Sequence, residues 1–343
     1  MGRPWVSRQA VFRRHKKVLA RGHRTIKAAN TADLCELHSG TRVARSQQVV
    51  AQLKKCSFQL SNQIGLTRRL ASSVWRQQRL LVLCYHGVSL IDEHRWNPEL
   101  YISPATLAHR LDTLERLGCA VLPLDEAVAR LYAGTLPPRA VTLTFDDGFH
   151  DFRAGALPLL EARSYRATVY VSTQHCESDP ASAHLLASYL KWKHRRARSG
   201  GAVPVRPTRV LSAMTPSELA DVSNRGVAVE MHTHRHRAPD DPDEFMSEVG
   251  LNRARIEAIT GRRPRHLCYP SGIYRASYLP RLAGDDIATA TTCDPALASR
   301  LSHPLLLPRF VDSEACSQLA FEAWVTGVAM WLPRRTRRAN ARH

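Results

Sequence analysis

The sequence contains no uninterrupted apolar run of eighteen residues, which argues against a membrane-spanning helix. Its N-terminus is basic but lacks an apolar stretch followed by a small-residue cleavage site, so we expect no cleavable export signal and a cytoplasmic protein. None of the eight cysteines belongs to a CxxC pair. A chain of 343 residues can bury a large core without disulfides, and we therefore expect reduced thiols.

Acidic residues are almost missing from the two ends of the chain. Residues 1–80 carry seventeen Lys or Arg against two acids, and residues 333–343 carry five Arg and no acid. The middle, 81–332, is nearly neutral, with 27 basic and 28 acidic residues. A nucleic-acid-binding fold normally carries its basic stripe on the folded domain. Here the net charge of +19 comes from the two ends of the chain, so we expect no specific nucleic-acid partner. The basic ends are solvated, or they bind RNA weakly or contact the inner face of an anionic membrane peripherally.

These shifts in composition divide the chain into three segments. Residues 1–79 are predicted to be a basic N-terminal extension, partly disordered or helical. Residues 80–332 are predicted to be the catalytic domain, and residues 333–343 a basic C-terminal tail. A stretch rich in Gly, Pro and Arg at 180–208 is predicted to be an insertion within the domain.

Apolar runs of strand length alternate with helical patterns from residue 80 onward. Strands are predicted at 80–88, 119–124, 140–148, 167–172, 227–234, 266–272, 286–292 and 304–310. Helices are predicted at 104–117, 125–132, 151–163, 216–224, 240–260, 275–283 and 315–331. This alternation is typical of an α/β fold with a largely parallel sheet, and so many repeats favour a closed or nearly closed barrel.

Four polar clusters occur where predicted strands end: YHG (85–87), TFDDG (144–148), HTHRH (232–236) and YPSG (269–272). The carboxyl ends of barrel strands are where catalytic loops converge. We therefore expect these clusters to form one site.

A metal site is the main chemical hypothesis for these clusters. His232 and His236 are four residues apart, so both imidazoles can face one ion if they lie on one helical turn, and Asp147 can add a carboxylate. Three protein ligands with open positions are typical of catalytic zinc. His234 is expected to point away. The alternatives are that one aspartate only caps the following helix and that the histidines are surface residues.

The order TFDDG, HTxxH and YPSG resembles the NodB-homology polysaccharide deacetylases, carbohydrate esterase family 4, over residues 80–312. The resemblance implies a distorted, partly open (β/α) barrel. It implies that Asp146 is the general base, and that Asp147, His232 and His236 bind a divalent metal ion. It also implies that Thr233 braces the loop and that the backbone N–H of Ser271 stabilises the oxyanion.

The sequence departs from the family pattern at two functions. Where many members have an arginine that orients the base, this chain has Cys268, and we expect Arg309 to substitute for it. No LxxH motif supplies a general acid for the leaving amine. His86 is the preferred candidate because it ends a core strand, and His303 is the alternative.

The predicted function is metal-dependent removal of N-acetyl groups from N-acetylhexosamine units of a polysaccharide, an oligosaccharide or a sugar-lipid precursor. Zinc is the preferred ion, and cobalt, nickel or manganese would also fit the ligands. Two alternatives remain open: a metal-dependent hydrolase of a non-sugar amide or imide, and a glycan-binding protein whose catalysis has decayed.

Overall fold

The computed structural model describes residues 66–177 and 208–331, together with Tyr189, Lys191, Trp192 and Arg196. The predictions for residues 1–65, for most of the insertion at 180–208 and for the C-terminal tail lie outside these described residues.

The described part of the chain forms a seven-stranded sheet and a two-stranded sheet. The strands are β1 (Leu81–Tyr85), β2 (Gly87–Val88), β3 (Tyr101–Ile102), β4 (Val141–Phe145), β5 (Ala167–Val171), β6 (Ala228–Met231), β7 (His266–Cys268), β8 (Thr289–Thr291) and β9 (Phe310–Val311). In the large sheet the order is β8-β7-β6-β5-β4-β1-β9, and β2 pairs with β3.

Every neighbouring pair in the large sheet is parallel. Edge strand β8 is also bridged, from Thr291 to Leu307, to the segment that leads into β9 at the opposite edge. The sheet therefore curls towards closure, and the predicted fold class, a distorted and partly open (β/α) barrel, is confirmed.

Helices connect these strands. They are α1 (Leu66–Ala71), α2 (Val74–Gln77), α3 (Glu93–Trp96), α4 (Pro104–Arg116), α5 (Leu124–Ala133), α6 (Leu157–Glu161), α7 (Thr173–Glu177), α8 (Pro216–Asn224), α9 (Pro242–Thr260), α10 (Tyr278–Ala283) and α11 (Gln318–Thr326). Helix α4 begins as predicted, with the Ser103 side chain accepting the N–H of Thr106 and Pro104 in the first turn. None of the helices in the described ranges is both long and apolar enough to cross a lipid bilayer.

Two predicted strands and one predicted helix were wrong in part. Residues 119–124 make only a single bridge, from Val121 to Val141, because Pro123 already serves as the N-cap of α5. Residues 304–310 begin as a 3-10 turn, Pro304–Leu306, and only Phe310–Val311 pairs as a strand. The predicted helix at 151–163 is a π-helical turn, Phe152–Ala156, that continues into the short helix α6.

The central strands are buried on both faces. Every residue of β1, β4 and β5 is buried, which matches their continuous apolar sequences rather than an alternating pattern. Such burial leaves the strands little freedom to shift register. It also means that the polar groups following each strand are held on a rigid support.

Residues 66–79, which the sequence assigned to the N-terminal extension, lie against the closing helix α11. Arg76 is fully buried, and its Nε donates to the carbonyl of Val325 at 2.9 Å. Trp75 packs against Trp331, with ring centroids 5.6 Å apart. These contacts tie both ends of the described chain to one corner of the barrel.

Glu230 is a buried carboxyl group in β6. Its Oε2 accepts the backbone N–H groups of Arg265 at 2.8 Å and His266 at 2.6 Å, and burial raises its pKa to about 7. Because the folded-state pKa exceeds the unfolded value of about 4.3, the stabilising contribution of the neutral form is lost as pH rises towards 7.

We expect Glu230→Gln to raise the free energy of unfolding by about 1 kcal/mol at pH 5 and about 3 kcal/mol at pH 8. Urea unfolding at the two pH values measures the difference. Glu126→Gln, at an exposed position of α5, is the matched control. An equal effect of Glu230→Gln at both pH values would contradict the raised pKa of Glu230.

Candidate active site

The sequence-predicted side chains converge at the carboxyl ends of the parallel strands. Asp146 and Asp147 follow β4, and His232 follows β6. His86 lies between β1 and β2. Arg309 instead precedes β9, at the amino end of that strand, and reaches the site through its side chain. The four strand-end clusters therefore share one edge of the sheet, as predicted.

Asp147, His232 and His236 form a compact set of donor atoms. The Oδ1 atom of Asp147 lies 3.3 Å from Nε2 of His232 and 3.3 Å from Nε2 of His236. All three donors lie within 4.8 Å of one another. Bond lengths of about 2.0–2.1 Å in a tetrahedral zinc site place neighbouring O and N donors about 3.3 Å apart. The residues present therefore fit a divalent metal ion.

The loop that brings the two histidines together is not a helical turn, contrary to the geometry assumed from their spacing. Thr233 and His236 both adopt positive φ, 58° and 54°. The backbone N–H of His232 donates to Oδ1 of Asn252, and the hydroxyl of Thr233 accepts the N–H of Arg237. These hydrogen bonds hold a tight irregular turn, and Thr233 makes the bracing contact that the resemblance implied.

The tautomer of His232 follows from its hydrogen bond. Its Nδ1 lies 2.8 Å from the carbonyl oxygen of Cys268, which can only accept, so Nδ1 carries the proton. Nε2 then directs a lone pair towards Asp147, which is the arrangement that metal-binding histidines use. His234 instead pairs its Nδ1 with the hydroxyl of Thr173 at 2.9 Å and takes no part in the set.

Asp146 is held by Arg309 through two parallel contacts of 2.7 Å, from Nη1 to Oδ1 and from Nη2 to Oδ2. Both side chains are buried, and Nε of Arg309 donates to the carbonyl of Thr292 at 2.9 Å. Burial alone would raise the pKa of Asp146, but the charge and hydrogen bonds of Arg309 outweigh it and hold that pKa well below its usual range. Asp146 is therefore an ionised, oriented acceptor.

Two thiols complete the surroundings of Asp146: Cys268, which occupies the position of the family arginine, and Cys84, which the sequence did not place there. The Sγ atoms of Cys84 and Cys268 each lie 3.4 Å from Oδ2 of Asp146. Burial raises the pKa of both thiols, so they are neutral neighbours. The register of β1 against β4 pairs Cys84 with Thr144, two residues before Asp146, which is a relation that a single sequence does not display.

The two candidate general acids differ in position. Nε2 of the half-buried His86 lies 3.9 Å from Oδ2 of Asp146, beyond hydrogen-bond distance but within the site. His303 caps a 3-10 turn, with its Nδ1 accepting the N–H of Leu305 at 3.1 Å. Of these two candidates, His86 is the one that lies close to Asp146.

Ser271 is the exposed residue of the 3-10 turn Pro270–Gly272 that follows β7, and it adopts φ of 56°. The next residue, Gly272, has φ of 69°, and a Cβ placed there would lie 2.8 Å from Cβ of Cys293. The loop is therefore packed too closely against Cys293 to accept a side chain at position 272. The role of the Ser271 N–H as an oxyanion donor stays a prediction.

An aromatic wall borders the site on the side of His86. The ring of Tyr101 lies so close to Gly87 that a Cβ there would meet Cε1 at 2.2 Å. Tyr101 stacks on Phe149 at 6.4 Å, and Trp96 packs against Tyr101 and Tyr189. Residues 92–103 thus contribute the aromatic side chains of Trp96 and Tyr101 to this wall.

Comparisons with known proteins agree with this geometry. A family model described as polysaccharide deacetylase matches residues 133–287. YxkH of Bacillus subtilis (strain 168), a protein that carries the name polysaccharide deacetylase, is 21% identical over 74% of this chain and 80% of its own length. The fold is similar to that of Streptococcus pyogenes deacetylase PplD, solved in complex with acetate (TM-score 0.56, 20% identity, 75% of this chain and 99% of that one). It is also similar to IcaB from Ammonifex degensii (TM-score 0.55, 20% identity, 72% of this chain and 97% of that one). Over residues 133–287 the chain matches the polysaccharide deacetylase family, whose NodB-homology members are hydrolases that act on amide carbon–nitrogen bonds.

Proposed function

We propose that the protein is a metal-dependent hydrolase that removes N-acetyl groups from N-acetylhexosamine units of a polysaccharide, an oligosaccharide or a sugar-lipid precursor. The observation that carries the proposal is the placement of a preformed donor set, Asp147, His232 and His236, beside an ionised Asp146 held by Arg309. The match to the family and similarity to a deacetylase solved with acetate support the same chemistry.

Asp147, His232 and His236 would hold the ion. When bound, a divalent ion supplies Lewis acidity and lowers the pKa of water. Two imidazole nitrogens and one carboxylate oxygen suit zinc, and cobalt, nickel or manganese would be accepted by the same donors. The proton on Nδ1 of His232 fixes which of its nitrogens faces the ion.

The chain's own residues divide the proton transfers. Asp146 takes the proton of the attacking water at the carboxylate that Arg309 orients. The backbone N–H of Ser271 donates to the oxygen that becomes negative on the acetyl carbon. His86, half-buried beside Asp146, returns a proton to the departing amine of the sugar.

The two alternatives are less well supported. A glycan-binding protein with decayed catalysis would not need the 3.3 Å donor spacing or the bidentate hold on Asp146, and both are intact. A non-sugar amide or imide substrate remains compatible with the same donors, but no described residue favours it. The basic ends, their contact with an anionic membrane and a cytoplasmic location remain predictions.

Acetate release from N-acetylglucosamine oligomers by metal-reconstituted protein tests the proposal. We expect wild type to bind one tight equivalent of zinc and to release acetate, and His232→Ala to lose both. His109→Ala, at an exposed position of α4, is the matched control and should retain both. Zinc bound by wild type and lost in His232→Ala, with no acetate released, would keep the metal site and discard this substrate class.

A further inference from the structure

A second group of potential ligands includes Asp146 but not Asp147. It consists of Cys84, His86 and Asp146, whose Sγ, imidazole and carboxylate donor atoms all lie within 4.8 Å of one another. Sγ of Cys84 is 3.4 Å from Oδ2 of Asp146, and Nε2 of His86 is 3.9 Å from the same oxygen. Three donors of different kinds thus face a common point.

These separations are close to those of a tetrahedral site. Zinc–sulfur bonds of about 2.3 Å and zinc–oxygen bonds of about 2.0 Å put neighbouring S and O donors about 3.5 Å apart. The corresponding N and O donors are about 3.3 Å apart. The observed 3.4 Å matches the first value, and a movement of His86 by about half an ångström would satisfy the second.

The charge and hydrogen bonding of the group also allow a cation. Metal binding would release the thiol proton of Cys84 to solvent, so the occupied site would contain a thiolate and a carboxylate. Together they provide two negative charges against the single positive charge of Arg309. In the described part of the chain Nδ1 of His86 is buried without a hydrogen-bond partner, so no contact at that nitrogen opposes rotation of the ring.

We propose that Cys84, His86 and Asp146 form a second, inhibitory site for a thiophilic divalent cation, such as zinc in excess or cadmium. A cation there would occupy the carboxylate of Asp146 and the imidazole of His86 at once. The inhibitory part of this inference rests on the proposed function, because it assigns proton transfer to those two groups. The binding part does not.

The site is tested by equilibrium dialysis against cobalt or cadmium and by the near-ultraviolet absorption that a thiolate gives when it binds cobalt. We expect wild type to bind two equivalents and to show this absorption. Cys84→Ser should bind one equivalent and lose the absorption, and His86→Ala should bind the second equivalent at least about tenfold more weakly. Cys119→Ser, at a half-buried thiol elsewhere, is the matched control and should behave as wild type.

His236→Ala separates the two sites, since it should lose the first equivalent and keep the thiolate absorption. Binding of a single equivalent by wild type, or an absorption that survives in Cys84→Ser, would overturn the second site. Excess zinc should lower acetate release by wild type at least about tenfold relative to one equivalent, whereas in Cys84→Ser the ratio should stay near one. A second equivalent bound without loss of activity would remove the inhibitory role alone, and absence of all acetate release would instead count against the proposed function.

Discussion

Replacing Asp146 by asparagine should lower kcat by about 10²- to 10⁴-fold, because the amide cannot accept a proton and general-base catalysis contributes about that much. Binding of the first, tight equivalent of zinc should change little, since the donor atoms of that site belong to Asp147, His232 and His236. The measurement is steady-state acetate release together with metal content of the same preparation.

Asp112→Asn provides the matched control for Asp146→Asn. Asp112 forms a surface ion pair with Arg163 and has no role in the site. Loss of this ion pair should leave kcat within about twofold. If Asp146→Asn retained more than about a tenth of the wild-type kcat, Asp146 would not be the base. Loss of the first, tight equivalent of zinc in the same variant would show instead that Asp146 is a ligand of the site formed by Asp147, His232 and His236.

Replacing Arg309 by methionine should have the second large effect, on both stability and activity. The change leaves the carboxylate of Asp146 buried without its cation, which typically costs about 3–5 kcal/mol in the free energy of unfolding. With the guanidinium gone, burial is the dominant influence and the pKa of Asp146 should rise. The base would then be protonated over more of the pH range, so the acidic limb of the kcat/KM profile should move to higher pH.

The pH dependence of stability should change in the same variant. In wild type the pKa of Asp146 lies below its unfolded value of about 4, so its contribution to stability is present above pH 4 and is lost as pH falls further. In Arg309→Met the sign reverses, and stability should decline as pH rises above about 4. Urea unfolding across this range measures the slope.

A double variant separates the pair from its surroundings. Asp146→Asn combined with Arg309→Met removes both charges, and its stability should exceed that of Arg309→Met because no buried charge is left unpaired. Arg309→Lys keeps a positive charge but cannot make two parallel contacts, so it should recover stability more than activity. Equal stability of Arg309→Met and wild type would contradict the buried pair.

The sequence predicted those site residues whose positions depend only on where strands end. Asp146, Asp147 and His232 follow apolar runs, and in a parallel sheet the ends of such runs meet at one edge. The substitution of Arg309 for the family arginine, inferred only because Cys268 occupies the expected position, is matched by the contacts at Asp146. These inferences needed no knowledge of loop conformation.

The rest depends on relations that one sequence does not carry. The position of Cys84 beside Asp146 depends on the register of β1 against β4. That register is set by packing between two strands, and the two residues are 62 positions apart in the sequence. The approach of His236 to Asp147 depends on left-handed backbone at Thr233 and His236, a conformation that is unusual for a β-branched residue such as Thr233. The misassigned strand at 119–124 shows that an apolar run can pack with only a single bridge, because Pro123 is already the N-cap of the helix that follows.

The residues in left-handed conformation also show where the backbone of this barrel is under conformational strain. Among the described residues seven non-glycine positions have positive φ, and four of them, Asp147, Thr233, His236 and Ser271, lie in the loops of the site. Each such conformation costs roughly 1–2 kcal/mol, so the catalytic edge is held against an opposing free energy comparable with the net stability of many small domains. Substitutions chosen only to raise the melting temperature would find their easiest gains at these four positions. A variant stabilised at these positions is therefore the one most at risk of losing the alignment of its metal ligands.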